Sequence, residues 1–277
     1  MSHIWSIMTK PGDERGVEHD RTQDVSEAFE LAERMSNLAP KRNAVAALRP
    51  DRRGNTGVLA GPRNAGTVIA EPADRGSAVS IIVSALHVLD RDPEATLVLM
   101  PLGRSIASDE RLLGALPSAI EEAERSRGSM VVLATTPSSL ECRGAWIVPN
   151  HDGELRRSTP VALLTPDPDP ASAQRFVRRG ALVSTDAMVV SGRTLLGMLA
   201  LALPRPLGEA VCWRQAHEGT LPHLRRLYAK LPRRDFYADV LERCSDVLRV
   251  MPVPTDRCCR THEPVRASQA WENTPGA

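Results

Sequence analysis

Residues 67–104, TVIAEPADRGSAVSIIVSALHVLDRDPEATLVLMPLGR, decide the fold. Thr67-Val68-Ile69-Ala70 is a short apolar run, and Glu71-Pro72-Ala73-Asp74-Arg75-Gly76 after it reads as a turn. Ser77 is then placed to cap a helix by accepting from a free N–H in its first turn. Val79, Ile82, Val83 and Leu86 follow at three-to-four-residue spacing, which is one apolar helix face. Arg91-Asp92-Pro93 ends that helix, because proline disfavours helical geometry in the residue before it. Thr96 to Met100 is a second unbroken apolar run, closed by Pro101-Leu102-Gly103-Arg104. Strand, helix and strand without alternation in the strands imply an α/β fold: a Rossmann-like, mostly parallel central sheet with helices on both faces. Ligands in such sheets bind beyond the carboxyl ends of the strands. Here those ends are Glu71–Ala78 and Met100–Arg104, and function is sought there.

Working outward, Ile4 to Thr9 reads as a first strand, and Asp24 as the cap of a helix with the face Val25, Ala28, Phe29, Ala32 and Met35. Ala44 to Leu48 is a second strand, and residues 49–66 a surface loop rich in Gly, Arg and Asn. Asp109 to Arg127 is a helix interrupted at Pro117. Met130–Ala134, Ala145–Pro149 and Met188–Val190 are strands. Residues 166–170, PDPDP, are a rigid connector, and Ala171–Arg179 is a helix closed by Gly180. From about residue 194 the chain turns helical: Thr194–Leu203, Pro222–Leu231 and Phe236–Cys244. The expected organisation is one domain over residues 1–266, with a flexible tail at 267–277.

Composition narrows the classes. Among 277 residues, 42% are hydrophobic but only 3% aromatic, so Leu, Val, Ile and Ala must fill the core. A net charge of +1 argues against a nucleic-acid binder. No apolar run approaches the roughly 18 residues of a membrane helix. Five irregularly spaced cysteines fit a reducing cytoplasm better than a disulfide framework.

The order of these pieces resembles the sugar-1-phosphate nucleotidylyltransferases, with mannose-1-phosphate guanylyltransferase the closest match. Glu71-Pro-Ala-Asp-Arg75-Gly-Ser-Ala78 resembles the family's EPxxRxTA loop beside the nucleotide. Gly180-Ala-Leu-Val-Ser-Thr185 is similar to its GALWNT segment beside the sugar, and Trp146–Pro149 to the segment after its sugar-binding Tyr-Gly. Leu231-Pro-Arg-Arg-Asp-Phe236 and Val253-Pro254 also fall in family order. By that resemblance Gly12, Arg15, Glu71, Arg75, Gly76, Ser77 and Arg104 are the nucleotide-side candidates. Trp146, Ser184 and Thr185 are the sugar-side candidates.

The family's chemistry is an in-line attack of a sugar phosphate on the α-phosphate of a nucleoside triphosphate. It needs backbone N–H groups near the phosphates, cationic side chains, and Mg²⁺ held by carboxylates. The chain departs from each requirement. The family's LAGGxGxRL loop matches Thr9–Gly16, where one glycine survives at Gly12, Pro11 has no N–H and Glu14 adds negative charge. Arg15 lies one place from the family's arginine. Pro40-Lys41 follows the first helix instead of preceding it, and reads as a helix terminator with a solvated lysine. The two metal carboxylates of the family fall on Gly103 and Arg260, and its Glu-Lys-Pro on Leu164-Thr165-Pro166. Losing one oxyanion-type donor alone costs about 10²–10³ in rate.

Three readings stand. The first is a degenerate member that keeps at most GTP or GDP-sugar binding, or associates with an active paralogue, and needs no cofactor. The second is a working enzyme that makes GDP-mannose from GTP and mannose 1-phosphate, with Mg²⁺ relocated to Asp13, Glu14, Asp74 or Asp109. The third is an interaction protein without a ligand. At single positions two options remain. Arg75 is either a nucleotide contact or a turn residue paired with Glu71 or Asp74, and Arg104 is either an anion contact or a solvated arginine. Cys258-Cys259 with His262, and with Cys244 or His217, are set against adjacent-cysteine spacing that zinc sites do not use. Arg225-Arg226 and Arg233-Arg234 read as solvated helix surface, and His87 as structural.

Overall fold

In the strands of the amino-terminal half, neighbouring side chains enter opposite cores, as period-two geometry requires. Ile7 packs on one side of the sheet and Met8 on the other; Leu97 and Leu99 face one way, Val98 and Met100 the other. Such strands must be apolar at every position, which is why they read as unbroken runs. A computed structural model describes residues 3–10, 21–48, 57–60, 66–102, 109–150, 157–217 and 221–254. The elements are β1 (Ile4–Thr9), α1 (Arg21–Arg34), β2 (Ala44–Leu48), β3 (Gly57–Ala60), β4 (Thr67–Ala70), α2 (Ser77–Leu89) and β5 (Thr96–Pro101). Then come α3 (Glu110–Arg125), β6 (Met130–Thr135), β7 (Ala145–Pro149), β8 (Thr159–Pro166), α4 (Pro170–Arg178) and β9 (Leu182–Ser191). The chain finishes with α5 (Gly192–Ala202), α6 (Pro204–His217), α7 (Leu221–Lys230), a turn of π-helix (Tyr237–Leu241), a 3₁₀ turn (Glu242–Val247) and β10 (Leu248–Pro252).

The strands form one sheet in the order β3-β4-β2-β1-β5-β9-β6-β10-β8-β7, and β7 also pairs with β9. That last pairing closes β9, β6, β10, β8 and β7 into a five-stranded barrel. Only β4-β2-β1-β5 and β6-β10 run parallel; the other pairings are antiparallel. The expected mostly parallel sheet is therefore corrected to a mixed one. The physical reason is β9, ten residues long, which pairs antiparallel with β5, β6 and β7 and turns the sheet over. The α/β character and the helices on both faces hold: α2, α5, α6 and α7 cover one face, α1 and α3 the other.

Local departures each have a cause. β3 lies inside the expected loop and pairs with β4, Val58 opposite Ile69. β8 carries two prolines and buries only Val161 and Leu164, so it lacks a strand signature. α3 runs through Pro117 without ending, capped at its start by Asp109, whose Oδ1 accepts the Leu112 N–H at 3.0 Å. Pro170 and Asp169 start α4, Asp169 accepting from Ala171 and Ser172. Cys142 is disulfide-bonded while Cys212 and Cys244 are free, so the irregular spacing did not exclude a cross-link. No helix of the described residues is long and apolar enough to cross a membrane. The expected tail at 267–277 lies outside the described residues.

The barrel is pinned to α3 by a buried carboxylate. Glu122 is 2% exposed. Its Oε1 accepts from Ser158 at 2.6 Å and Ser126 at 2.9 Å, and its Oε2 from Arg125 at 2.6 Å. Arg249 on β10 reaches both Glu122 (3.3 Å) and Ser158 (2.8 Å). Burial alone would raise the Glu122 pKa, but hydrogen bonds from Ser158, Arg125 and Ser126 outweigh it and lower it to about 2. Glu122→Gln is expected to cost about 1–3 kcal/mol in urea unfolding at pH 7. The loss shrinks as pH falls from about 4.5 towards 2, where the wild-type carboxylate itself becomes protonated.

His87 on α2 is 3% exposed, and neither ring nitrogen has a hydrogen-bond partner among the described residues. Burial, then the charges of Arg91 and Arg214, lower its pKa from 6.5 to about 4, with Asp90 opposing. Above pH 6.5 the ring is neutral folded or unfolded and contributes no slope. Between 6.5 and 4 only the unfolded chain takes the proton, so stability falls with pH, by roughly 3 kcal/mol in all. In pH-dependent denaturation, His87→Leu should flatten that slope.

Candidate functional site

The strand order lays the carboxyl ends of β4, β2, β1, β5, β6 and β10 along one edge, together with the amino-terminal part of the antiparallel β9. Thr9 of β1 lies opposite Pro101 of β5, and the Leu102 N–H donates to the Thr9 carbonyl. Leu48 of β2 lies opposite Ala70 of β4, and Glu71 N–H donates to the Leu48 carbonyl. Ser184 of β9 lies opposite Ala134 of β6, and Val253 N–H donates to the Ala134 carbonyl. This edge therefore carries the 71–77 turn, Lys10, Leu102, the 184–186 segment and Val253.

The 71–77 turn is fixed from beneath by side chains that sequence reasoning assigned no role. Glu71 is 2% exposed, and its Oε1 accepts from Ser80 at 2.6 Å and the Tyr228 phenol at 2.8 Å. Burial, then the neighbouring Glu71 charge, pushes the Tyr228 phenol well above its ordinary pKa, so it stays a donor. Arg75 Nε donates to the Tyr228 carbonyl at 2.7 Å. Arg234 brackets the turn, its N–H donating to the Arg75 carbonyl at 2.8 Å and its carbonyl accepting from Ala78. Ser77 is not the helix cap. Gly76 holds that place, and the Ser77 hydroxyl joins Asp235 (3.1 Å) and the Phe236 N–H (2.9 Å). The pairing considered for Arg75 is also corrected: Asp74 accepts from Gly76 and pairs with Arg233 at 3.7 Å. Arg233 and Arg234 consequently sit in the link after α7 and clamp this turn, Arg234 also pairing with Asp239 at 3.2 Å. Arg225 and Arg226 are exposed on α7, as read.

On the sugar-side segment, the Ser184 hydroxyl lies 2.6 Å from the Tyr237 phenol, and Thr185 Oγ1 donates to the Leu133 carbonyl at 2.8 Å. Asp186 has φ +64° where β9 bulges against β6, a conformation that aspartate tolerates better than most residues. Tyr237 begins the π turn, in which Glu242 N–H bonds the Tyr237 carbonyl five residues back; such turns recur at functional sites. Trp146 is placed differently. Its side chain is 0% exposed, and Nε1 donates to the Cys142 carbonyl at 2.9 Å, so it packs the small cluster under α4 and has no surface to offer a sugar.

Asp24, expected as a helix cap, lies inside α1 and is buried, with Lys10 Nζ at 2.8 Å; Glu27, one turn on, is 3.8 Å from the same ammonium. Two acids three apart within an apolar stripe were the available signal, since buried charges require a partner. Lys41 is about half-exposed and pairs with Glu33, in keeping with a solvated terminator. Gly12, Arg15, Arg104, Gly103 and Arg260 lie outside the described residues. So do Asp13, Glu14 and the Cys258-Cys259-His262 group; Cys244 is buried with its thiol on the Met198 carbonyl. Among the described residues, no three His, Cys, Asp or Glu side chains group so as to hold a metal ion.

No protein-family model matches the chain, nor does any curated protein. The fold is similar to the crystal structure of mannose-1-phosphate geranyltransferase from Thermus thermophilus, over 92% of this chain and 75% of that one, with TM-score 0.67 and 21% identity. It is also similar to mannose-6-phosphate isomerase from Helicobacter pylori, over 91% of this chain and 98% of that one, with TM-score 0.63 and 14% identity. At these identities the likeness establishes the architecture, in agreement with the resemblance read from the motifs, and leaves activity to the chemistry of the site. Within this fold, three of the segments that carried the resemblance meet: Glu71–Ala78 lies on Leu231–Phe236, and the adjoining Tyr237 reaches Ser184.

Gly76 is the position where that meeting is tightest. Its φ is +83°, and a Cβ there would lie 2.2 Å from the Arg234 carbonyl oxygen. Gly76→Ala is expected to cost at least about 2 kcal/mol in equilibrium denaturation, from left-handed strain and the forced retreat of Arg234. Unchanged stability would contradict the clamp.

Proposed function

We propose that this chain binds a nucleotide or nucleotide sugar at the carboxyl edge of the sheet and has lost metal-dependent nucleotidyl transfer. The observation that carries the reading is Arg75. Its Nε is committed to the Tyr228 carbonyl, and its terminal nitrogens have no hydrogen-bond partner among the described residues. A guanidinium oriented in this way suits a phosphate oxygen pair. The turn that bears it resembles the family's nucleotide loop, and the sheet places it where ligands of α/β sheets bind.

The loss of transfer rests on the donor set for Mg²⁺. A hard divalent ion wants carboxylate oxygens, yet the family's two metal positions fall on Gly103 and Arg260, which takes their formal charge from −2 to +1. Among the described residues, the nearby acids fit no better. Asp109 caps α3, Asp74 is shared between Gly76 and Arg233, and Asp24 and Glu27 converge on Lys10. The chain's own groups supply an arginine, backbone N–H donors and the Ser184/Thr185 hydroxyls for binding.

Thermal unfolding with GTP and with GDP-mannose, each with and without Mg²⁺, tests the binding. A ligand at about 100 times its Kd should stabilise the chain by about 2.7 kcal/mol, whether or not metal is present. Incubation with Mg²⁺, GTP and mannose 1-phosphate should release no pyrophosphate above background. Turnover on the order of 1 per second would overturn the loss of catalysis, and no shift with either ligand would favour the interaction protein.

A further inference from the structure

We propose that Tyr228 is the positioning residue of the nucleotide site: it holds both ends of the turn that presents Arg75. The assignment rests on the nucleotide-binding reading above. From one residue on α7, the phenol donates to Glu71 Oε1 at 2.8 Å, and the backbone carbonyl accepts from Arg75 Nε at 2.7 Å. Glu71 opens the turn and Arg75 precedes its closing glycine, so the two contacts fix where the guanidinium stands. Ser80 on α2 also donates to the same Glu71 oxygen, at 2.6 Å. The Tyr228 side chain is buried, so the phenol acts on the site through Glu71 and the turn that Glu71 opens.

Removing the phenol oxygen while keeping the ring separates position from packing. α7 stays seated through Leu224 and Leu227, but the buried Glu71 carboxylate loses the phenol donor, and the entrance of the turn relaxes around it. A turn that is no longer pre-set must be ordered by the ligand, which lowers affinity.

Calorimetric titration of the full chain with GTP, and separately with GDP-mannose, well below the melting temperature, tests this. Tyr228→Phe should weaken binding about tenfold, and Ser80→Ala should weaken it in the same direction by less. Glu122→Gln, a destabilising change on the opposite face of the sheet, should leave it unchanged. In an Arg75→Ala background, Tyr228→Phe should add no further loss, as two residues acting through one contact require. Wild-type affinity in Tyr228→Phe, an equal loss in Glu122→Gln, or an additive loss in the Arg75→Ala background would overturn the assignment. If Tyr228→Phe does not fold, Ser80→Ala in both backgrounds carries the comparison. A wild-type chain that binds neither ligand removes the nucleotide reading itself, a result distinct from one in which it binds and the variants match it.

Discussion

The candidate site depends on a single buried carboxylate. Glu71 leaves β4 at the point where the sheet ends, and its side chain goes inward, where an unpaired charge would be costly. Ser80 and Tyr228 meet it there. One donor comes from the helix that follows the strand, the other from a helix more than 150 residues away in sequence. The carboxylate therefore joins β4, α2 and α7, and the turn above it has little freedom left. Arg234, Asp235 and Asp74 complete the enclosure with backbone and side-chain bonds. A loop at a strand end is ordinarily among the more mobile parts of an α/β fold; this one is built into the core.

How much of this was legible follows from what each element presents to water. β1, β2, β4 and β5 are buried on both faces and could be read residue by residue, because burial on both sides removes almost every polar residue from the run. α2 is buried from Ala78 to Val88 and was equally clear, although the spacing understated it as one apolar face. The antiparallel half was harder. β8 is half-exposed and proline-bearing, and β9 carries Ser184, Thr185 and Asp186 across its bulge, so only its core-facing end had a strand signature. Parallel order was inferred from unbroken runs alone, yet β9 is buried by three strands that it pairs with antiparallel. Burial on both faces does not specify direction, and the error lay in that step.

The site was legible in its loops but not in its supports. Glu71, Arg75, Gly76, Ser77, Ser184 and Thr185 were named from resemblance, and the structure puts the first four in one turn and the last two on the β9 bulge. The residues that hold them were missed. The chain has only two tyrosines, and each bonds one of these segments: Tyr228 to Glu71 and Tyr237 to Ser184. In a sequence so poor in aromatics their scarcity was the available signal. Trp146 misled in the other direction, since a residue adjacent to a family motif turned out to be packing. Position beside a motif says nothing about which way a side chain faces, and on a strand that choice alternates with every residue.

Two sets of contacts at the strand ends obey different constraints. The bonds that hold the 71–77 turn pair each buried charge or dipole with a partner inside the chain, and are needed for the fold whatever binds. The carboxylates that would hold a metal have to be left partly unpaired for the ion, so they add charge repulsion and no stability without it. A sequence can lose the second set and keep the first. Four of the described acids near this edge belong to the first set: Asp24 and Glu27 are occupied by Lys10, Asp74 by Gly76 and Arg233, and Asp109 by the start of α3. Arg75 departs from it. Its guanidinium is anchored at one nitrogen, and the other donors have no hydrogen-bond partner among the described residues, which is what the proposed anion contact requires.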